Sequence, residues 1–163
     1  NKSIKIIIAP HEIDLGHINS IRERFPSSIL FSNIENERIK YIIKKNVLII
    51  DSIGILSSLY KYSSLAYIGG GFGVGIHNIL EAATFGKPIC FGSNYSKFRE
   101  AEDLISLKGA YSIKDENELS SWIVSMLEDS ELYKSACLSS MNYVRDNIGA
   151  SKVILDNIKL KGY

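Results

Sequence analysis

Residues 65–92 read LAYIGGGFGVGIHNILEAATFGKPICFG. An apolar run at 65–68 enters a loop in which five of the seven residues from 69 to 75 are glycine. The spacing of 77–85 then predicts a helix with Gly86 as its C-cap, and a second apolar run follows at 88–91. A strand, a helix and a strand in that order form a parallel crossover unit. The same alternation extends in both directions. Strands are expected at 4–9, 28–32, 47–50 and 110–113. Helices are expected at 13–25, from an N-cap at Asp51 or Ser52 to about Tyr62, at 97–107 with a stop at Gly109, and at 116–127, 130–147 and 151–159. The strands are almost continuously apolar, as strands buried on both faces are. The fold class is therefore α/β, a doubly wound parallel sheet. No repeat or linker interrupts the 163 residues, which read as one domain.

Composition narrows the function. Nineteen Lys and Arg against eighteen Asp and Glu leave a net charge of +1, with no polybasic or acidic tail. That disfavours binding to a nucleic-acid backbone. A 45% hydrophobic content excludes intrinsic disorder. Cys90 and Cys137 are too few for a disulfide scaffold and read as small buried residues in a reducing compartment. No apolar run approaches the roughly 20 residues that span a bilayer, and no signal peptide is visible. The chain enters its first strand after three residues, which reads as a piece of a longer protein.

Ligands of open α/β sheets sit at the carboxyl ends of the strands. Those ends carry Pro10-His11-Glu12, Asp51-Ser52-Ile53-Gly54, the glycine run into His77-Asn78, and Gly92-Ser93-Asn94. Glycine lets backbone amides approach a ligand closely, and the start of the next helix favours an anion such as phosphate. The run is not a P-loop, because no Lys-Ser or Lys-Thr follows it. It also misses the G-x-G-x-x-G spacing, since the last position falls on Val74 or Ile76, which disfavours a nicotinamide-dinucleotide enzyme. Asn78 and Glu81 are three apart and share a helix face, where a carboxylate suits the hydroxyls of a ribose. Ile79, Leu80 and Ala83 are expected to face the core. His77 reads as a residue that orders the loop or touches the ligand rather than as a base. Tyr60, Tyr62 and Tyr67 read as packing residues. His11, Glu12 and His17 lack the spacing of a zinc helix, so no metal is expected.

The ordered series Asp51-Ser52-Ile53-Gly54-Ile55-Leu56, Tyr60, Gly69-Gly70-Gly71, His77-Asn78-Ile79-Leu80-Glu81-Ala82-Ala83, Gly86-Lys87-Pro88, Phe91-Gly92 and Phe98-Arg99-Glu100 resembles the C-terminal half of the 3-deoxy-D-manno-octulosonic acid (Kdo) transferases. In that family the matching stretches read approximately D-T-M-G-E-L, G-G-S, H-N-P-L-E-A-A and G-P-x-x-x-N-F. The resemblance covers nearly the whole chain. It implies the C-terminal, Rossmann-like half of a two-domain GT-B glycosyltransferase, which binds the donor CMP-Kdo. The acceptor, a lipid A precursor, the membrane anchor and the catalytic carboxylate would belong to an N-terminal half outside this chain. The resemblance thus implies no catalytic residue here, no activity for the chain alone and no cofactor. It also implies a soluble piece of a protein at the cytoplasmic face of the bacterial inner membrane.

Carried over by position, the residues that would contact CMP are Pro10 and His11, then Ile53, Gly54 and Ile55, then Asn78, Ile79, Leu80 and Glu81. Gly70, Gly71, Gly73 and His77 join them from the loop. His11 stands where the family has arginine, Ile55 where it has an acidic residue and Ile79 where it has proline. The glycine loop and helix-borne glutamate also suit a GT-B enzyme using a UDP- or GDP-sugar, or a non-catalytic nucleotide-binding module.

Overall fold

The computed structural model describes residues 4–149 and, beyond them, 155, 157 and 158. The chain divides into two compact units, 1–58 and 59–163.

The first unit runs β1 (Ile6–Ile8), α1 (Leu15–Arg24), β2 (Ile29–Leu30), a 3-10 turn (Phe31–Asn36), α2 (Ile39–Ile42) and β3 (Val47–Ile49). Its strands are all parallel in the order β1-β3-β2. The central strand carries the burial: Ile49 and the following Ile50 are buried, while Ile6 and Ile7 on the edge strand remain exposed. α1 starts at Leu15 because the Asp14 carboxylate accepts the His17 N–H at 3.0 Å. Asp51 does not cap a helix as expected. Its carboxylate accepts the Ser32 N–H at 3.0 Å and the Ser32 hydroxyl at 2.5 Å, tying the end of β3 to the chain just beyond β2. The helix expected from Asp51 to about Tyr62 is instead α3 (Leu56–Leu59) followed by a 3-10 turn (Tyr60–Tyr62). Gly54, at φ +92°, breaks its first turn.

The second unit runs β4 (Ala66–Ile68), α4 (Leu80–Thr84), β5 (Ile89–Gly92), α5 (Arg99–Ser106), β6 (Ala110–Ile113), α6 (Glu116–Glu128) and α7 (Ser130–Asp146). Three parallel strands in the order β4-β5-β6 place Ile68 opposite Phe91 and Phe91 opposite Ser112. Alternation along β5 explains its apolar run. Ile89 and Phe91 enter one core with Ile68, Ile79, Ala83 and Leu104, whereas Cys90 enters another with Ile113, Trp122 and Met126. Every β5 side chain is fully buried, each worth about 1.5–3 kcal/mol for the large apolar residues. The parallel α/β class is as expected; the strands form two ladders of three, each built on its own central strand.

Helix ends follow local chemistry. Asp115 caps α6 by accepting from Asn117 N and Glu118 N, and Asp129 caps α7 by accepting from Glu131 N and Leu132 N. Gly86, at φ +60°, closes α4 with its N–H on Ala83 O, as expected. After α5 the left-handed residue is Lys108 rather than Gly109. Gly109 is glycine for space: a Cβ there would lie 2.9 Å from Ser140 Oγ, and that buried hydroxyl donates to Gly109 O. The helix expected at 151–159 lies, apart from three residues, outside the described residues. Among the described residues no helix is long and apolar enough to cross a membrane.

Candidate functional site

Tight turns and close approaches shape the glycine loop after β4. Gly70, at φ +88°, turns the chain so that its carbonyl accepts from Gly73 N at 2.9 Å and Gly75 N at 3.2 Å. A Cβ on Gly70 would overlap the Gly75 carbonyl oxygen. Gly71 lies against Gly92 at the end of β5, backbone on backbone, so that a Cβ on either residue would fall inside the other. Gly73 differs from both. It has no left-handed φ, and the nearest atom to an added Cβ is Gly70 O at 3.7 Å. Its lack of a side chain leaves the loop open at its exposed tip.

Asn94, in the turn after β5, grips this loop twice. Its N–H donates to Gly71 O at 2.8 Å and its side-chain amide to Gly73 O at 2.6 Å. In a trans peptide the carbonyl and the following N–H point in opposite directions. The Phe72 and Val74 amides therefore both point away from Asn94. Both residues are exposed, and among the described residues neither amide has a hydrogen-bond partner. Backbone amides without a partner are groups that can take an anion.

The chain then enters α4. His77 N donates to Gly69 O at 3.2 Å, and the His77 ring lies beside Gly69 and Gly70, in line with a loop-ordering role. α4 begins at Leu80, three residues later than expected, and has five residues. So short a helix carries little dipole, and the Asn78 side-chain oxygen already accepts Leu80 N at 3.0 Å. The start of α4 therefore offers an anion little, a correction to the helix-start reading. Asn78 and Glu81 do meet, Asn78 Nδ2 donating to Glu81 Oε1 at 3.0 Å. Tyr60 packs against the β4–β5 core, where burial, and then the Glu81 charge, push its phenol up from the ordinary tyrosine value. Ile79 and Ala83 are buried as expected, so Ile79 offers a ligand only its backbone. Leu80 is 38% exposed, and Tyr62 and Tyr67 are likewise exposed rather than packed. A cleft of about 400 Å³ beside Phe72 and Tyr67 is bordered by Lys114, Asp115 and Glu116.

In the first unit, Pro10 and His11 follow β1, and Ile53 and Gly54 are exposed with nothing within 4 Å of a Cβ built on Gly54. Burial raises the Asp51 pKa, but the two Ser32 hydrogen bonds outweigh it and hold the carboxyl below its ordinary value. Cys90 is buried as expected and its thiol is pushed up to about 12, whereas Cys137 is only half-buried. Among the described residues no group of three His, Cys, Asp or Glu is placed to hold a metal. Sequence reasoning placed Asn94 among the strand-end residues but gave it no role, and it passed over Ser32 and the Tyr60–Glu81 pair. Only Asn94 carried a signal, as a polar residue just past a strand.

The fold of this parallel α/β chain is similar to that of glycosyltransferase C-terminal domains. The C-terminal CMP-Kdo binding domain of WaaA from Acinetobacter baumannii superimposes with a TM-score of 0.64 at 18% identity, over 88% of this chain and 90% of that one. The C-terminal domain of a group 1 glycosyl transferase, LpcC from Francisella tularensis, gives 0.53 at 13% identity, over 92% and 88%.

In sequence the chain is similar to the Kdo transferases, as its motifs imply. It is 30% identical to the 3-deoxy-D-manno-octulosonic acid transferase of Aquifex aeolicus over 130 residues, 77% of this chain and 34% of that protein. The Rickettsia bellii transferase of the same name is 29% identical over 145 residues, 87% of this chain and 34% of that protein. A bifunctional glycosyltransferase/methyltransferase of Fusobacterium nucleatum is 27% identical over 169 residues, 97% of this chain and 26% of that protein. The chain thus spans about a third of the length of these curated transferases. No family model matches it.

Proposed function

We propose that this chain is the donor-binding part of a Kdo transferase that moves Kdo from CMP-Kdo to a lipid A precursor. The observation that carries the reading is the loop 69–75, with its free amides at Phe72 and Val74, beside the Asn78–Glu81 pair. The amides face an anion and Glu81 can accept from ribose hydroxyls. Similarity to transferases of that name supports the choice of sugar. Pro10, His11 and Ile53–Ile55 stand as further donor contacts on the strength of the resemblance.

As CMP leaves, negative charge builds on its phosphate, and fixed amides stabilise that charge without reorganising. The base that activates the acceptor hydroxyl, the lipid A site and the contact with the cytoplasmic face of the inner membrane belong to the remainder of the parent protein. Transfer proceeds without a divalent cation. The test is Kdo transfer from CMP-Kdo to a lipid A precursor by the full-length protein carrying this chain, with and without EDTA. The expected result is transfer unaffected by EDTA, strongly reduced by Glu81→Ala and absent from the 163-residue chain alone. Transfer from a UDP- or GDP-sugar instead would overturn the choice of donor.

A further inference from the structure

We infer that Asn94 is a positioning residue for the donor phosphate, setting the direction of the Val74 amide through the Gly73 carbonyl. The inference rests on the reading of loop 69–75 as the phosphate-binding segment. The Gly73–Val74 peptide is held at its carbonyl end by one contact from outside the loop, the 2.6 Å bond from Asn94 Nδ2. The Gly71–Phe72 peptide is held by the Asn94 backbone N–H at 2.8 Å, which any residue at position 94 supplies. A side-chain substitution therefore releases one amide of the pair and leaves the other fixed. The released peptide is free to rotate, because Gly73 restricts its own backbone least and Val74 is 95% exposed. A rotated peptide presents a carbonyl instead of an N–H to the anion, which exchanges attraction for repulsion.

Asn94 itself is exposed, is not part of the β4–β5–β6 core, and its side chain makes one hydrogen bond to the loop, so a substitution there leaves that core intact. The role is distinct from catalysis, since the side chain acts through the loop and not on the donor.

The experiment compares CMP with cytidine on this chain and on Asn94→Ala and Asn94→Asp, with amide chemical shifts recorded for each. Asn94→Asp keeps the size of the side chain but turns a donor into an acceptor facing the Gly73 carbonyl. The parent chain is expected to prefer CMP and to shift at both Phe72 and Val74. Both variants are expected to bind cytidine as the parent does, to lose roughly tenfold of the CMP preference, and to lose the Val74 shift while keeping that of Phe72. An unchanged CMP-to-cytidine ratio in both variants overturns the inference and leaves the donor reading standing. A parent chain that does not distinguish CMP from cytidine, or whose loop does not respond, overturns both.

Discussion

Gly71→Ala should be among the most damaging single-methyl additions in the second unit, although glycine at this position has no special φ. The added Cβ would sit 2.6 Å from Gly92 N and 2.8 Å from both Gly92 Cα and Gly92 O. Reaching even 3.0 Å requires a movement of 0.4 Å between two backbones, one of them at the end of the fully buried β5. No side chain is available to give way. Overpacking typically costs about 1–3 kcal/mol, and three simultaneous backbone contacts put this case at the upper end. Gly92→Ala meets Gly71 C, Gly71 O and Phe72 N in the same way and should cost as much. Gly73→Ala supplies the control, because its Cβ meets nothing closer than 3.7 Å and its φ suits any residue. It should gain about 0.4–1 kcal/mol through the unfolded chain.

Trp122, the single tryptophan, is buried against Tyr111 in this unit and reports its unfolding alone. At an m-value of about 1–3 kcal/mol per M urea, Gly71→Ala and Gly73→Ala should unfold roughly 1–4 M apart by Trp122 fluorescence. Equal midpoints for the two variants would refute the backbone-contact explanation of Gly71.

Asn78→Ala should cost about 1 kcal/mol by Trp122 fluorescence, because it removes the acceptor of Leu80 N and the donor to Glu81. Ser32→Ala should destabilise the first unit by about 1–2 kcal/mol at neutral pH, since the hydroxyl's hydrogen bond to the Asp51 carboxylate is lost while the backbone N–H bond remains. A depressed carboxyl pKa stabilises above its unfolded value, near 3.9, and the contribution disappears as pH falls through the lower folded value. The gap between parent and variant should therefore narrow in acid, and a gap constant with pH in the amide signals of the first unit would contradict that assignment. A thiol reagent should label Cys137 but not Cys90 in the folded chain near neutral pH, and both in denaturant. Burial and a thiol pushed up to about 12 leave Cys90 inert. Mass spectrometry showing early Cys90 labelling would indicate that β5 opens.

Much of the fold was legible because burial on both faces writes itself into strand sequence. Residues 89–91 announce β5 with no polar interruption, and Gly86 announces the end of α4. What escaped was competition for side chains. Asp51 looked like a helix cap, yet Ser32, distant in sequence and adjacent across the β2–β3 ladder, takes its carboxylate. The start of α4 slipped by three residues because Asn78 bonds back to Leu80 N in a local turn instead of joining the helix. In the loop, sequence gave one reason for five glycines, whereas the structure separates them. Gly70 and Gly75 need left-handed φ, Gly71 needs space against Gly92, and Gly73 has neither need. Asn94 could be placed at a strand end, but its contacts could not be read, because they depend on which carbonyls it reaches.

The central claim is that this chain holds a cytidine nucleotide at the loop 69–75 and at Glu81. The direct measurement is a titration with CMP, UMP and GMP followed by amide chemical shifts. The expected result is selective perturbation by CMP at Phe72, Val74 and Glu81. An equal or stronger response of the same residues to UMP or GMP would contradict a CMP-sugar donor and assign the chain to a glycosyltransferase of another nucleotide sugar.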